Sequence, residues 1–314
     1  MPSAPDTRRV LVLGGTGFLG SRIAARYAAA GWRVRAIARH SAPVPDGCDL
    51  IVGDAADVAT VAAALDAVDH VVDCLGCPFP AESVADPASD AAATVPKLIG
   101  VLELLRQRPG VGLTFLSSGG TVYGDPPHNP VREDAPTEPL TSYGIQKLTA
   151  EKYCRMYAHL YDVPTTVLRV SNAYGPGQQT GRGQGLVAAL LEAAQLGSTV
   201  HVFGDGGIQR DYVHVDDVAD ACVRLTGRTA PGAIINVGFG SGHTIIDVLE
   251  LVRRITGAAL PAERLPDRTF DVRALVLDTT LLRGLIDWEP RPLAAGIAET
   301  WSHLTGRPDA ALLA

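Results

Sequence analysis

Tyr143 and Lys147 stand four residues apart in Tyr143-Gly-Ile-Gln-Lys147-Leu-Thr-Ala-Glu-Lys152. On a helix that spacing puts a phenol and an ammonium on one face. A positive charge beside a phenol draws its pKa down from about 10, producing a Tyr that can take or return a proton at a substrate hydroxyl. Taken alone, the pair more often means a Tyr packed on a sheet and a solvated Lys. Of the 27 Lys and Arg residues only three are Lys (97, 147 and 152), and two of them fall in this stretch.

A second chemical signal lies at the other end of the chain. Val10-Leu-Val-Leu-Gly14-Gly15-Thr16-Gly17-Phe18-Leu19-Gly20 reads as a strand, a glycine-rich turn and a helix, in that order. Gly14 permits the tight turn, Gly17 lets backbone approach a pyrophosphate, and Gly20 allows close helix–strand packing. Phosphates would sit at the helix start, where N–H groups and the dipole favour anions. The order of elements points to a dinucleotide site rather than an ordinary turn. Its candidate contacts include Phe18, Leu19, Asp54 and Ala55; Asp54 could accept from an adenine amino group or serve as a plain loop residue. A bound oxidised nicotinamide would add a second positive charge beside Tyr143.

These residues need a scaffold. Over the first 170 residues β-branched runs alternate with Ala/Leu-rich segments of helical period, the pattern of βαβ units around a parallel sheet. Strands are predicted at 9–13, 33–38, 49–52, 70–75, 113–117 and 164–170, with helices at 18–30, 58–65, 88–106 and 142–161. After Gly175 the alternation breaks into glycine-rich loops with helices at 186–196, 216–225 and 245–255. The expected fold is α/β: a Rossmann-type doubly wound parallel sheet with a smaller, irregular α/β C-terminal lobe.

Composition agrees. A chain of 314 residues, 46% hydrophobic and 19% charged, is long enough for two subdomains and too apolar for disorder. No apolar run approaches the roughly 18–20 residues of a membrane span, and the N-terminus lacks a secretory signal. Net charge is −7 with the signs interspersed, so no basic stripe suggests nucleic acid. Five Cys (48, 74, 77, 154 and 222) without framework spacing fit reduced thiols and a cytoplasmic location. Cys74-Leu-Gly-Cys77 has no second ligand pair, so no metal site is expected.

Gly14–Gly20, Leu116-Ser-Ser-Gly-Gly-Thr-Val-Tyr-Gly124 and the Tyr143/Lys147 pair together resemble the extended short-chain dehydrogenase/reductase superfamily. Leu168-Arg-Val-Ser-Asn172-Ala-Tyr-Gly-Pro-Gly177 and Gly204-Asp-Gly-Gly-Ile-Gln-Arg210-Asp-Tyr-Val-His-Val-Asp-Asp217 narrow this to the nucleotide-sugar epimerase/dehydratase branch, most similar to UDP-glucose (galactose) 4-epimerase-like members. The resemblance runs from about residue 8 to about 304. It implies NAD on a domain spanning 1–171 and rejoined by about 211–235. A nucleoside-diphosphate sugar, UDP-linked, would lie on a lobe spanning 172–306, with a tail at 307–314. It also implies a homodimer, paired through the helices predicted at 88–106 and 142–161.

Carried over by position, Tyr143 would be the acid/base and Lys147 would hold the nicotinamide ribose. Asn172 and Arg210 would meet the diphosphate, Arg210 with a planar, permanently charged guanidinium. Arg268 would meet phosphate, Asp271 a ribose hydroxyl, and Ser83 would lie near the sugar. Some positions depart from the family. Gly119 replaces the usual catalytic Ser or Thr, leaving Ser118, Thr121 or a water to supply the hydrogen bond; Ser118 is favoured because it adjoins the vacant position, unless strand alternation turns it to the other face. Thr94 replaces an Asn, Leu75 a small residue of the cofactor site, and Ala38 an Asp typical of NAD binders, with Arg39 following. The implied reaction is transient oxidation of a sugar C4 hydroxyl, rotation of the keto sugar and reduction on its other face. The rivals are an NADPH-consuming keto-sugar reductase, a dehydratase, and a catalytically idle cofactor-sensing or scaffold protein.

Overall fold

The computed structural model describes residues 8–76, 83, 85–179, 185–266 and 272–306. The β-branched runs form β1 (Arg9–Leu13), β2 (Arg33–Ala38), β3 (Cys48–Val52), β4 (His70–Asp73), β5 (Gly112–Ser118) and β6 (Thr165–Val170). Between them run α1 (Phe18–Ala29), α2 (Val58–Ala64), α3 (Pro87–Arg106) and α4 (Ser142–Tyr161). The later chain adds β7 (Asn172–Tyr174), α5 (Leu186–Leu196), β8 (Val200–Phe203), β9 (Gln209–His214), α6 (Val215–Leu225) and β10 (Ala233–Val237). Then follow β11 (Gly242–Thr244), α7 (Ile245–Thr256), β12 (Ala262–Leu265), β13 (Ala274–Leu275), α8 (Thr280–Leu285) and α9 (Leu293–Thr305).

One parallel sheet has the order β10-β6-β5-β4-β1-β2-β3. Strand order reverses between β1 and β4, and a ligand crevice is expected beyond the carboxyl ends of the strands at that reversal. Both sheet faces are covered. Val10, Val12, Leu116 and Leu168 pack with Ile23 and Tyr27 of α1 and Val218 of α6. Leu11, Leu13, Phe115 and Val167 pack with α2, α3 and α4 through Val61, Leu102, Ala150 and Cys154. Neighbouring residues of a strand thus serve opposite layers, which explains why these strands read as continuous apolar runs. The sequence marks no strand at β10; only pairing with β6 makes it the seventh.

The C-terminal lobe has a β11-β9-β13 sheet with β7 beside β9, and a separate β12-β8 pair. Its core joins Leu190, Leu191, Val202, Tyr212, Val248, Val252, Ile297 and Trp301. A capping box between Thr244 and Asp247 starts α7, and Gly257 at φ 71° ends it. Burying Val248, Leu249, Val252 and Ile255 contributes about 1.5–3 kcal/mol each before ordering costs, so Val252→Asp would detach this helix. Arg22 pairs with Asp216 at 2.5 Å, and Arg291 with Asp217 and Glu299 at 3.1 and 2.5 Å, tying α1, α6 and α9 together. Among the described residues no helix is long and apolar enough to cross a membrane.

Candidate active site

The glycine turn after β1 lies at the strand-order reversal. Gly14 adopts φ 74°, and a Cβ there would stand 3.1 Å from the Cys74 carbonyl oxygen at the end of β4. Gly17 N donates to Gly14 O at 2.9 Å. A Cβ on Gly20 would collide with that same Gly14 oxygen. The N-cap of α1 is Gly17, which offers no side-chain oxygen, and the first turn holds no acidic residue. The opening N–H groups, Phe18 and Leu19 among them, therefore suit an anion. This cradle fits a dinucleotide pyrophosphate. Ala55 is buried nearby in sequence, Asp54 accepts from Ala56 N in a local turn (2.9 Å), and Leu75 N donates to Asp73 Oδ1 at 2.9 Å. Arg39 is exposed just past β2.

Tyr143 and Lys147 both lie on α4, near its start. Thr141 caps this helix by accepting from Gly144 N at 3.2 Å. Tyr143 is half-buried; Lys147 is only 5% exposed. The Lys147 ammonium donates to Leu116 O at 2.8 Å and stands 4.8 Å from the centre of the Phe115 ring. The buried Asp73, whose β5 neighbour in register is Phe115, is raised by burial, opposed by the Leu75 N–H and the charges of Lys147 and Lys97.

The loop after β5 separates the two candidate hydroxyls. Ser117 Oγ donates to Glu151 Oε1 on α4 at 2.5 Å, so strand alternation directs Ser118 to the opposite face. Thr121 instead lies against the start of α4: a Cβ on Gly144 would be 3.3 Å from Thr121 Cβ. Its Oγ1 is buried with no hydrogen-bond partner among the described residues. At Gly119 a Cβ would be 2.6 Å from Leu277 Cδ1 and 3.0 Å from Arg169 O. Leu277 fills the space a side chain at 119 would need.

A buried ion pair supports this floor. Arg169 meets Glu151 at 2.7 Å, and Arg169 Nη1 donates to Tyr123 Oη at 2.9 Å. Tyr123 in turn donates to Asn236 Oδ1 on β10 at 2.7 Å, and burial pushes its phenol up to about 12. With the Ser117–Glu151 bond, the network ties β5, β6, α4 and β10 together.

On the C-terminal side, Asn172 Nδ2 donates to Asp211 O at 2.9 Å, and its Oδ1 lies 3.7 Å from the Cβ position of Gly120. Arg210 Nη1 donates to Gln209 O and Val272 O at 2.9 and 2.6 Å. Arg268 and Asp271 lie outside the described residues. Ser83 is buried and donates to Asp90. Asp211 is fully buried and accepts from Phe239 N, Gly240 N, Leu277 N and Ser171 Oγ at 2.8–3.3 Å; burial nevertheless pushes it up to about 6. Sequence reading missed Asp73, Asp90, Asp211 and Leu277. Asp211 lies within the Gly204–Asp217 motif but has no assigned role there; the other three are placed by contacts between distant segments.

Comparison with known proteins gives the family and the fold. Residues 10–238 match the family described as NAD dependent epimerase/dehydratase. The chain is 35% identical over 303 residues to the UDP-glucose 4-epimerase of Mycolicibacterium smegmatis, covering 93% of this chain and 97% of the relative. Among solved structures it is similar to the Thermotoga maritima UDP-glucose 4-epimerase with UDP-glucose, at a TM-score of 0.89 and 30% identity, covering 95% of this chain and 99% of the other. It is likewise similar to the Thermus thermophilus UDP-glucose 4-epimerase in complex with NAD, at 0.88 and 32%, covering 96% and 100%.

Proposed function

The chain belongs to the NAD dependent epimerase/dehydratase family, and from that membership we propose that it is a nucleotide-sugar 4-epimerase acting on a UDP-linked hexose. The observation that carries this reading is the placement of Lys147: a buried ammonium at the end of β5, one helical turn from Tyr143. Bound NAD supplies a reversible hydride acceptor for the sugar C4 carbon. Tyr143 takes the C4 hydroxyl proton and later returns it. Lys147 holds the nicotinamide ribose. Thr121 supplies the hydrogen bond to the reacting oxygen that Gly119 cannot, because its hydroxyl is unpartnered and lies beside the Tyr143 helix; Ser118 points elsewhere. Asn172, Arg210, Arg268 and Asp271 bind the diphosphate and ribose, and Ser83 borders the sugar.

The proposed domains are 1–171 with a return at about 211–235 for the cofactor, and 172–306 for the substrate. A homodimer through α3 and α4 is supported by the exposed Ile145, Met156, Leu160 and Tyr161 of α4. The free cysteines 48, 74, 154 and 222 suit the cytoplasm. A keto-sugar reductase using NADPH is the second reading, favoured by Ala38 and Arg39 alone. A dehydratase lacks support, since Gly119-Gly120-Thr121 holds no carboxylate.

Assay of C4 epimerisation of UDP-glucose tests the assignment. Tyr143→Phe keeps the ring and removes the ionisable oxygen, so turnover should fall by about 10²–10⁴-fold with the fold intact. Thr121→Val should lower kcat while Ser118→Ala leaves it near wild type. Near wild-type turnover by Tyr143→Phe would end this mechanism.

A further inference from the structure

Asp90 is a buried carboxylate that the mechanism above does not use. It sits in the first turn of α3, fully buried, beyond the Asp86 N-cap and Pro87. Three hydroxyls donate to it: Ser83 and Ser142 to Oδ2, the latter at 3.0 Å, and Thr94 to Oδ1 at 3.3 Å. A burial this complete is costly for a carboxylate unless its lone pairs are met, and here hydroxyl donors meet them.

The identity of the donors gives the carboxylate its meaning. Ser142 opens α4 and immediately precedes Tyr143. Thr141 caps that helix from within, which shapes its first turn but fixes it to nothing else. The Ser142–Asp90 bond ties the same turn to α3. Ser83 meets Ser142 at a single oxygen, so the segment bearing Ser83, the start of α3 and the start of α4 are joined at one atom. A serine hydroxyl carries one proton. Ser83 and Ser142 each spend theirs on Asp90, and toward any third group they present only lone pairs.

We propose that Asp90 is a positioning residue, which locks the Tyr143-bearing turn of α4 against α3 and Ser83 so that the Tyr143 oxygen is held where the proton is transferred. The inference rests on the assignment of Tyr143 as acid/base. Misplacing a reacting group by about 1 Å can cost on the order of 10²-fold in rate, whereas cofactor and diphosphate contacts made by other elements remain.

Two substitutions separate position from charge. Asp90→Asn can set its amide oxygen where Oδ2 stood and keep both serine bonds, with its nitrogen turned to the Thr94 oxygen. Asp90→Ala removes every bond. With UDP-glucose as substrate and NAD-loaded protein, Asp90→Ala should lower kcat by about 10- to 100-fold while KM and NAD affinity stay within about threefold. Asp90→Asn should recover most of that loss, and Ser142→Ala should show a smaller fall in kcat, again at constant KM. Should Asp90→Ala fail to fold, the Ser142→Ala split decides. The proposal is overturned if Asp90→Ala, or Ser142→Ala in its stead, keeps kcat within about twofold of wild type, or if KM rises by more than about threefold as kcat falls, as in general loosening. Tyr143→Phe in the same assay separates the two ideas: its retained activity removes the acid/base assignment itself, and an inactive Tyr143→Phe beside a fully active Asp90→Ala removes only the positioning role.

Discussion

Two glycine turns close the carboxyl ends of β1 and β5, two strands apart in the sheet, and the space they leave is used in opposite ways. After β1, Gly17 meets only the Gly14 carbonyl, at 3.2 Å from its Cβ position, and the turn faces an uncapped helix start. That space is suited to a ligand. After β5, a Cβ on Gly119 would run into Leu277, 158 positions later in sequence, so the protein fills the space itself. One sequence signal thus has two physical outcomes: a turn left open and suited to close approach of a ligand, and close packing of a distant side chain. The second turn also explains how a hydroxyl can be lost from the usual position, since a side chain there could not coexist with Leu277.

The largest effect should come from the first turn. Gly20→Ala drives its Cβ into the Gly14 oxygen and must displace the turn. NAD affinity should fall by about 100-fold or more, about 3 kcal/mol, with some loss of thermal stability. Gly17→Ala meets far less protein, so it should lose affinity while the melting temperature of the NAD-free protein holds. Equal NAD affinity of wild type and Gly17→Ala, measured by titration, would erase the contrast between the turns.

Leu277 is itself held by Asp211, which accepts from its backbone N–H at 3.2 Å. The folded pKa of Asp211, about 6, lies above the ordinary 3.8. Between those values the folded protein binds the extra proton, so this group's contribution is fully present below about pH 4 and lost as pH rises through about 6. Relative to Asp211→Asn, wild type should therefore lose on the order of 2–3 kcal/mol between pH 4 and pH 7. Urea midpoints of both proteins across that range give the difference, in which the other titrating groups cancel. A flat difference would mean that the four donors keep the carboxylate ionised throughout, and that Leu277 is held equally at every pH.

How far these features were legible in the sequence follows from their range. β1, β2 and α4 were readable at their true bounds because β-branched runs and a helical period sustained over 20 residues are local signals. β7, β11 and β13 have two or three residues each, too few to show a period, and exist through pairing with β9. Tyr143 and Lys147 could be paired from spacing because one helix carries both. Between Ser118 and Thr121 the sequence favours Ser118 by its adjacency to Gly119 alone, because the choice depends on which face Ser117 takes and on Gly144 approaching the loop, and no local signal carries either. Leu277 behind Gly119 and Asp90 beneath Ser142 are contacts between distant segments, and no residue type announces them.

A smaller effect probes the second turn. Gly119→Ser restores the hydroxyl at the family's usual position but overpacks against Leu277 and the Arg169 carbonyl, at a cost of about 1–3 kcal/mol. Leu277→Ala should relieve the clash, so the double variant should be more stable than the two single changes sum to, by about 0.5–2 kcal/mol. Thermal melting and denaturant midpoints measure this directly. Strict additivity would show that Leu277 does not occupy the space of a residue 119 side chain.

The last and smallest effect concerns what the first turn holds. A carboxylate at the end of β2 accepts from the two ribose hydroxyls of NAD and repels a 2′-phosphate. Ala38 offers neither, while Arg39 stands exposed next to it, where a guanidinium could pair with that phosphate. NAD binding is therefore expected to be weakened by the missing acceptor rather than abolished, since the turn of Gly14, Gly17 and Gly20 keeps a geometry suited to a pyrophosphate. Ala38→Asp should tighten NAD by about tenfold, 1.4 kcal/mol, and weaken NADP. Arg39→Ala should leave NAD unchanged and lower NADP affinity only. Titrations of both oxidised cofactors against wild type and the two variants supply the measurement. If wild type prefers NADP by about tenfold or more, Arg39 is a phosphate ligand, the self-regenerating NAD cycle loses its basis, and the keto-sugar reductase becomes the better reading of the same Tyr143 and Lys147.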